Sequence, residues 1–200
     1  NTKIIIVADC TGHGVPAALM TVMGNSILNE IVSQRQIFEP DRILYELDSR
    51  ITESFSNENE SEQKINDGMD VSVIAFMDDK IYFAAAKNPL YLIKNNEHIQ
   101  ISGSKFPIGS TQYKKEKVFE KHTIEATKGD KFYLYSDGFQ DQFGGETGRK
   151  YLSKRFKEYL HKINSLPMKV QLSHLQKEFE EWKGTENKQT DDILIIGIEL

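Results

Sequence analysis

Three segments of the sequence place aspartates at the point where an apolar run meets a turn. Asp9 follows the run KIIIVA, Asp137 follows FYLYS, and the pair Asp191–Asp192 precedes ILIIGIEL. Strand ends can converge on one edge of a layered β protein, and carboxylates that meet there repel each other unless a cation neutralises them. Carboxylate oxygens are hard ligands that select Mg²⁺, Mn²⁺ or Ca²⁺ over zinc. The pattern therefore predicts a divalent-cation site.

The first of these segments, DCTGHGVP, permits two other interpretations. An aspartate before a helix is often an N-cap, and Asp-Gly is a common turn. Cys10 and His13 could form a nucleophile and its base. A cysteine and a histidine only three residues apart in one turn, however, rarely have a useful geometry for this chemistry. We favour the cation site because each aspartate interrupts an apolar strand that needs no charge. The loop residues of that site would be Gly12, His13, Gly14 and Gly138.

The spacing of apolar residues predicts helices and antiparallel hairpins in separate parts of the chain. A helix begins at Val15, a second runs from Pro40 to about Phe55, and two more precede a closing strand. The predicted buried faces are Val15, Ala18, Leu19, Val22, Met23, Ile27 and Ile31; Ile43, Leu44, Leu47 and Ile51; Leu152, Phe156, Leu160 and Ile163; and Met168, Leu172, Leu175, Phe179 and Trp182. The segregation of strands from helices predicts an α+β fold of antiparallel sheet layers covered by helices.

Composition and charge limit the class of protein. The chain has 200 residues, 38% of them apolar, which predicts one globular domain over residues 1–200. The net charge of −5, with scattered basic residues, argues against a nucleic-acid surface. The single cysteine excludes an internal disulfide and suits a reducing, cytoplasmic compartment. No apolar stretch approaches ~20 residues, so we expect neither a membrane span nor a signal peptide.

Three segments resemble the signature segments of a known enzyme family, in order and in spacing. They are VADCTGHGVPAALM, YLYSDGFQDQFGG and TDDILIIGIEL, and they resemble the SpoIIE-like branch of the PPM metal-dependent protein serine/threonine phosphatases. AAAKNPLYLI resembles the segment that this branch usually writes Ala-Gly-His-Asn-Pro, and FPIG and FEEWKG are also typical. The resemblance covers nearly the whole chain. It implies an αββα sandwich of two mainly antiparallel sheets flanked by helices.

The resemblance also implies a set of metal ligands. Asp9 would bridge two Mn²⁺ or Mg²⁺ ions, and the backbone carbonyl of Cys10 would add a ligand, which makes the thiol incidental. Asp137 and Asp191 would hold one of the ions. A water between the cations would lose its proton readily and attack phosphorus in line, so no protein side chain is needed as the nucleophile.

Two more aspartates have implied roles near this centre. Asp192 is either the alternative ligand at its pair or a group that hydrogen-bonds the ligands. Asp141 matches a position that in some relatives helps to bind a weak third ion. His13 lies four residues after Asp9, whereas eukaryotic relatives have a histidine two residues after the aspartate, so we carry over no general-acid role. Holding the turn is the alternative role for His13.

The N-terminal edge and one loop depart from the family pattern. Family members carry another metal-binding aspartate in a Gly-Gly-Asp segment upstream of the first strand. The chain starts too late to include it, so we expect a truncated edge and weak or no activity from this piece of a longer polypeptide. An upstream sensor or linker domain is expected in that polypeptide, and a homodimer could form through the unpaired first strand. Lys87 stands where the branch often has histidine.

The sequence therefore predicts a metal-dependent phosphatase domain. The implied substrate is phosphoserine or phosphothreonine on a small bacterial regulatory protein of the anti-sigma-factor-antagonist type. Hydrolysis of a small-molecule phosphate is a related alternative. A non-catalytic, partner-binding signalling module with the same fold is the alternative of another class.

Overall fold

The computed structural model describes residues 2–12, 14–56, 68–111 and 116–200. His13 and residues 57–67 of the polar loop therefore lie outside the described residues. The chain divides into two compact units, one formed by Asn1–Pro89 with Ser102–Glu125 and the other by Leu90–Ile101 with Ala126–Leu200.

The predicted helices and strands are present in the predicted order, together with short elements between residues 138 and 150 that the apolar pattern does not predict. The strands are β1 Lys3–Cys10, β2 Met69–Met77, β3 Lys80–Ala86, β4 Leu90–Lys94, β5 Glu97–Ile101, β6 His122–Ile124, β7 Lys131–Tyr135, β8 Phe143–Gly144, β9 Arg149–Lys150 and β10 Ile195–Glu199. The helices are α1 Val15–Asn29, which continues as a π-helical stretch Glu30–Gln34, α2 Pro40–Ser56, α3 Gly138–Asp141, α4 Ser153–Ile163 and α5 Met168–Lys183.

Each unit contains one four-stranded antiparallel sheet. The first unit has the strand order β1-β2-β3-β6, and the second has β10-β7-β4-β5. The two predicted hairpins are β2–β3 and β4–β5, whose turns contain Asp78–Asp79 and Asn95–Asn96 in left-handed conformations. The prediction of an α+β fold with two mainly antiparallel sheets and helices is confirmed.

Helix α2 supplies much of the core of the first unit. Its predicted inner face is confirmed, because Ile43, Leu44, Leu47 and Ile51 are all completely buried. They pack in one cluster with Val71 and other residues of the sheet. Full burial of such a side chain contributes about 1.5–3 kcal/mol relative to exposure. The amphipathic spacing of this segment therefore positions the helix on the sheet.

Helix α1 forms where predicted, but its predicted face is buried only toward the C-terminal end, where Ile31 is completely buried and Met23 and Ile27 pack against the core. The predicted inner residues Val15, Leu19 and Val22 are 72%, 63% and 69% exposed. Met20 and Gly24 are the buried residues of the helix. A β-carbon on Gly24 would overlap the Cε atom of Met69, so the glycine permits close approach of the helix to β2. The prediction that Val15, Leu19 and Val22 are core residues is wrong.

The same helix also revises the expectation about membrane spans. In the described part of the chain, the helical segment Val15–Gln34 is the one segment long and apolar enough to cross a membrane, judged by length and composition alone. Core helices of soluble proteins and signal sequences meet the same criterion, so this observation is weak. The expectation that no apolar stretch approaches this length is nevertheless wrong.

The second unit has an aromatic core around the fully buried strand β7. Phe139 and Tyr135 pack on Phe156 of α4 with ring centroids 4.9 Å apart in each pair. Two predicted core positions are wrong, since Leu152 is 60% exposed and Leu172 is 57% exposed. Leu152 does not belong to α4 but precedes it as the N-cap residue, in a left-handed conformation.

Candidate active site

Asp9 and Cys10 are the last two residues of β1 in the first unit. Asp9 pairs directly with Asp70 of β2, and both are half-buried. The sequence analysis did not identify Asp70, although it also interrupts an apolar strand, in GMDVSVIAF. The criterion that identified Asp9, a charge at the end of an apolar strand, also applies to Asp70. The register thus places two carboxylate residues side by side at this end of the sheet.

The turn after Asp9 is fixed by Thr11. Its hydroxyl donates to the carbonyl of Gly68 at 2.9 Å, and the N–H of Gly68 donates back to the hydroxyl at 2.7 Å. Gly12 and Gly14 have φ values of 92° and 80°, which explains the need for glycine at these positions. Gly14 is the N-cap residue of α1, so Asp9 does not cap that helix.

The Cys10 side chain is a poor candidate for a nucleophile. Burial raises the pKa of the thiol, and the negative charge of Asp9 raises it further. The hydroxyl of Thr21 donates to Sγ at 3.2 Å and offsets part of this effect. A thiol with a raised pKa carries little of the reactive thiolate at neutral pH. The environment of Cys10 alone therefore argues against a nucleophilic role for its thiol, whatever the role of His13.

Asp137 lies in the second unit, between the end of β7 and the short helix α3. It occupies the N-cap position of α3, yet its side chain makes no capping hydrogen bond. Burial raises the pKa of its carboxyl group, and the negative charges of Asp141 and Asp191 raise it further. Lys150 lowers it slightly and forms an ion pair with Asp141 at 2.7 Å. Three of the predicted site residues therefore interact electrostatically in this unit.

The Asp191–Asp192 pair is held against the end of β7 by Ser136 and Gly138. The hydroxyl of Ser136 donates to the carbonyl of Asp192 at 3.1 Å and accepts from the N–H of Leu194 at 3.0 Å. A β-carbon on Gly138 would overlap the carbonyl oxygen of Asp192. The N–H of Asp192 donates to a carboxylate oxygen of Asp191 at 2.8 Å.

Gln142 also holds this segment, and the sequence analysis did not identify it. It is completely buried directly after Asp141, and its side-chain amide bonds the backbone at Lys188 and Thr190. A polar residue next to a motif aspartate carries no periodic signal that could have revealed its burial.

The donor set fits a hard divalent cation, in a loose arrangement. Asp137, Asp141 and Asp191 offer oxygen donors of like charge, which a divalent cation would bind and neutralise. Within the described ranges, no group of three His, Cys, Asp or Glu side chains is drawn together closely enough to hold a metal ion. The second unit therefore supplies carboxylates of suitable chemistry, but in the described residues they are too far apart to bind one ion together.

Comparisons with known proteins agree with the fold. The family model described as Stage II sporulation protein E (SpoIIE) matches residues 1–200. The SiaA-PP2C domain of Pseudomonas aeruginosa is 29% identical with a TM-score of 0.84, over 98% of this chain and 75% of that chain. No curated protein matches closely enough to count as a relative.

Two more distant structures share the fold alone. The PP2C phosphatase domain of SpoIIE from Bacillus subtilis, solved with a fragment of its regulatory domain, is 16% identical with a TM-score of 0.70. The match covers 99% of this chain and 54% of that one, so the chain spans about half of its length. RsbX in complex with magnesium is 16% identical with a TM-score of 0.61, over 98% and 80% of the two chains. By its full-length family match, this chain belongs to the SpoIIE family of PPM (PP2C-type) protein phosphatases.

Proposed function

We propose that this chain is a Mn²⁺- or Mg²⁺-dependent phosphatase domain that hydrolyses phosphoserine or phosphothreonine on a bacterial regulatory protein. The observation that carries the proposal is the group of three aspartates in the second unit, where burial and then the charges of Asp141 and Asp191 raise the pKa of Asp137. Such a group is costly for a fold unless a cation stabilises it. Membership of a phosphatase family supports the same interpretation.

Each of the proposed ligands has a defined place in its own unit. Asp137 and Asp191 would bind one cation, and Asp141 would reach a weaker third one. Asp9 and the carbonyl of Cys10 remain the ligands expected from the first unit. Bound cations would supply Lewis-acid activation of a water molecule and would neutralise charge on the phosphoryl oxygens. Asp191 is the preferred ligand of its pair, because its charge, and not that of Asp192, acts on Asp137.

The substrate is proposed to be a protein rather than a nucleotide. The sequence has no Gly-rich loop that ends in Lys-Ser or Lys-Thr, the pattern that cradles nucleotide phosphates. Residues 139–148 follow Asp137 directly, and Phe143 among them is 42% exposed, which offers an apolar contact for a protein surface. The polar loop 56–67 is the other proposed contact. The implied class of substrate is a cytoplasmic anti-sigma-factor antagonist, under the control of an upstream domain.

The test is hydrolysis of a phosphoserine protein by the full-length protein at millimolar Mn²⁺. Release of phosphate should depend on Mn²⁺ and should be faster for the phosphoprotein than for any free nucleotide. Asp137→Asn should abolish it. Asp79→Asn is the matched control, since Asp79 lies in the β2–β3 turn with a φ of 62°, which asparagine also tolerates. Faster hydrolysis of nucleotides than of every phosphoprotein would contradict the proposed substrate class.

A non-catalytic, partner-binding module is the second candidate. It is favoured by the lack of a closed three-ligand group in the described part of the chain. It predicts no phosphate release at any Mn²⁺ concentration, together with unchanged partner binding in Asp137→Asn. The two candidates are therefore separated by the same variant.

A further inference from the structure

The segment that leads into Asp191 has little structure of its own. Residues 185–192 contain no helix or strand. At the far end of the segment, Ser136 holds the carbonyl of Asp192. Within it, Gln189 donates to the nearby carbonyl of Asp191 at 2.8 Å and the N–H of Asp192 donates to Asp191. Local bonds of this kind shape a loop but do not fix it to the rest of the unit. Its placement must therefore come from contacts with other elements.

Gln142, which follows Asp141, makes such contacts with this segment. Its Nε2 donates to the carbonyl of Lys188 and to that of Phe143, both at 2.9 Å. Its Oε1 accepts from the N–H of Thr190 at 3.0 Å. Both N–H donors and the acceptor of the amide are used, and the side chain has no exposed surface. A buried amide satisfied in this way is strongly directional.

The backbone of Gln142 is fixed as well. Its carbonyl accepts from the indole Nε1 of Trp182 at 3.0 Å and from the N–H of Tyr151 at 2.9 Å. Trp182 lies on α5 and Tyr151 precedes α4, so the residue is held by two elements of the unit. Its side chain then transmits this fixed position to residues 188–190.

The hydrogen bonds of Gln142 connect the two segments that carry the aspartates of this unit. Gln142 directly follows Asp141 and lies five residues after Asp137, while Thr190 directly precedes Asp191. Asp141 and Asp191 both repel Asp137 in the absence of a cation, which favours movement of the Asp191 segment away from it. The Gln142 amide opposes that movement.

We infer that Gln142 is a positioning residue, which restrains the segment before Asp191 relative to the Asp137–Asp141 segment and so sets the affinity for the cation. The inference rests on the proposed function. Gln142 does not itself bind the cation or the substrate. Residues that orient metal ligands typically change metal affinity by about 10–100-fold when they are replaced.

A second buried glutamine of the same unit provides a matched control. Gln171 is 2% exposed and also makes three hydrogen bonds. It accepts from the hydroxyl of Tyr133 at 2.8 Å and donates to the carbonyls of Leu166 and Asn164 at 2.8 and 3.4 Å. None of these partners belongs to the aspartate segments. Replacement by methionine keeps the length of either side chain and removes all three bonds.

The experiment compares Gln142→Met and Gln171→Met with the unaltered chain. Mn²⁺ binding is followed by the loss of the free-ion signal in electron paramagnetic resonance, and stability by thermal unfolding without metal. Both variants should be less stable, but only Gln142→Met should bind Mn²⁺ about tenfold more weakly or worse. Its turnover should recover as Mn²⁺ is raised. If Gln142→Met does not fold, Thr190→Pro removes one of the same bonds from the exposed side and should also weaken binding.

The outcomes separate the inference from the proposed function. Equal Mn²⁺ affinity in Gln142→Met and the unaltered chain would overturn the positioning role while leaving the metal site intact. An equal loss of affinity in Gln142→Met and Gln171→Met would also overturn it, because the effect would then come from stability. An unaltered chain that binds no Mn²⁺ would overturn the proposed function itself, and the positioning role with it.

Discussion

Gly138 and Asp192 are in contact, and the absence of a side chain on Gly138 is what allows it. A β-carbon at this position would overlap the carbonyl oxygen of Asp192. Gly138 has no left-handed conformation, so space rather than backbone freedom requires the glycine. The residue after Asp137 therefore determines how closely the Asp191–Asp192 pair approaches β7.

Gly138→Ala tests this contact. The new methyl group should push the pair away from Asp137 and lower turnover of a phosphoprotein by roughly 100-fold, since displacements near 1 Å can cost that much. Gly148→Ala is the control, because it strains a residue with a φ of 60° but meets no atom within 4 Å. Steady-state rates at several Mn²⁺ concentrations give the comparison. Equal activity of the two variants would contradict the proposed role of the contact.

Asp137→Asn should have opposite effects on metal binding and on metal-free stability. Removing the charge of a ligand should weaken Mn²⁺ binding by about tenfold or more, because a loss of ~1.4 kcal/mol of Coulomb attraction is already a factor of ten, and should abolish turnover. Without metal, the folded state should be more stable, because Asp141 and Asp191 no longer face a third negative charge. Urea unfolding in the presence of a chelator measures the second effect. A metal-free variant that is less stable than the original chain would argue against like-charge repulsion.

The neighbouring tyrosines of β7 should respond differently to loss of their hydroxyl groups. The hydroxyl of Tyr133 donates to Gln171 at 2.8 Å, whereas the buried hydroxyl of Tyr135 has no partner among the described residues. Tyr133→Phe should cost about 1 kcal/mol, and Tyr135→Phe should be neutral or stabilise the fold by up to ~1 kcal/mol. Urea unfolding at pH 7 distinguishes the two. A larger loss in Tyr135→Phe would mean that its hydroxyl is satisfied.

The same residues predict instability in alkali. Burial raises the pKa of Tyr133 and of Tyr135 to about 12, from an ordinary value of 10.0. Between these values the folded chain retains protons that the unfolded chain has lost, so stability must fall as the pH rises from 10 to 12. The double variant Tyr133→Phe/Tyr135→Phe should show a flatter decline. An unchanged slope would show that other groups dominate alkaline unfolding.

Leu152→Gly should stabilise the fold. Leu152 has φ 74° and ψ 145°, a region close to that used almost only by glycine, and its side chain is 60% exposed. Relief of this strain should outweigh the greater flexibility of glycine in the unfolded chain and give a net gain of about 1 kcal/mol. Leu152→Ala is the control, since alanine retains the β-carbon and should give no gain. The measurement is the urea denaturation midpoint of the original chain, Leu152→Gly and Leu152→Ala. A midpoint of Leu152→Gly no higher than that of Leu152→Ala would contradict the strain.

Cys10→Ala should retain phosphatase activity. The proposed ligand at this position is the backbone carbonyl, which alanine also provides, and the raised pKa of the thiol disfavours its reaction. Iodoacetamide should accordingly modify the thiol slowly at pH 7. Turnover should not fall as the labelled fraction of Cys10 rises. Inactivation that follows labelling, together with an inactive Cys10→Ala, would return the thiol to the mechanism.

Local patterns in the sequence were sufficient to predict most elements of the fold. The four buried positions of α2 repeat with the helical period, and the Asp-Asp and Asn-Asn turns set the two hairpins, so neighbours along the chain carry the whole signal. The aspartates at strand ends could be recognised for the same reason. Each is a charge placed next to an apolar run that does not require one.

Contacts between distant segments decided the rest. Val15, Leu19 and Val22 have helical spacing, yet they are exposed. The same helix is buried instead where Gly24 lies close to Met69, 45 positions further along the chain. The burial of Gln142 has no signal in the neighbouring sequence, and two of its side-chain partners, Lys188 and Thr190, lie more than 40 residues away. A periodic pattern shows that a face is apolar, but only the close packing of the tertiary structure determines which face is buried and which polar side chain fixes the site.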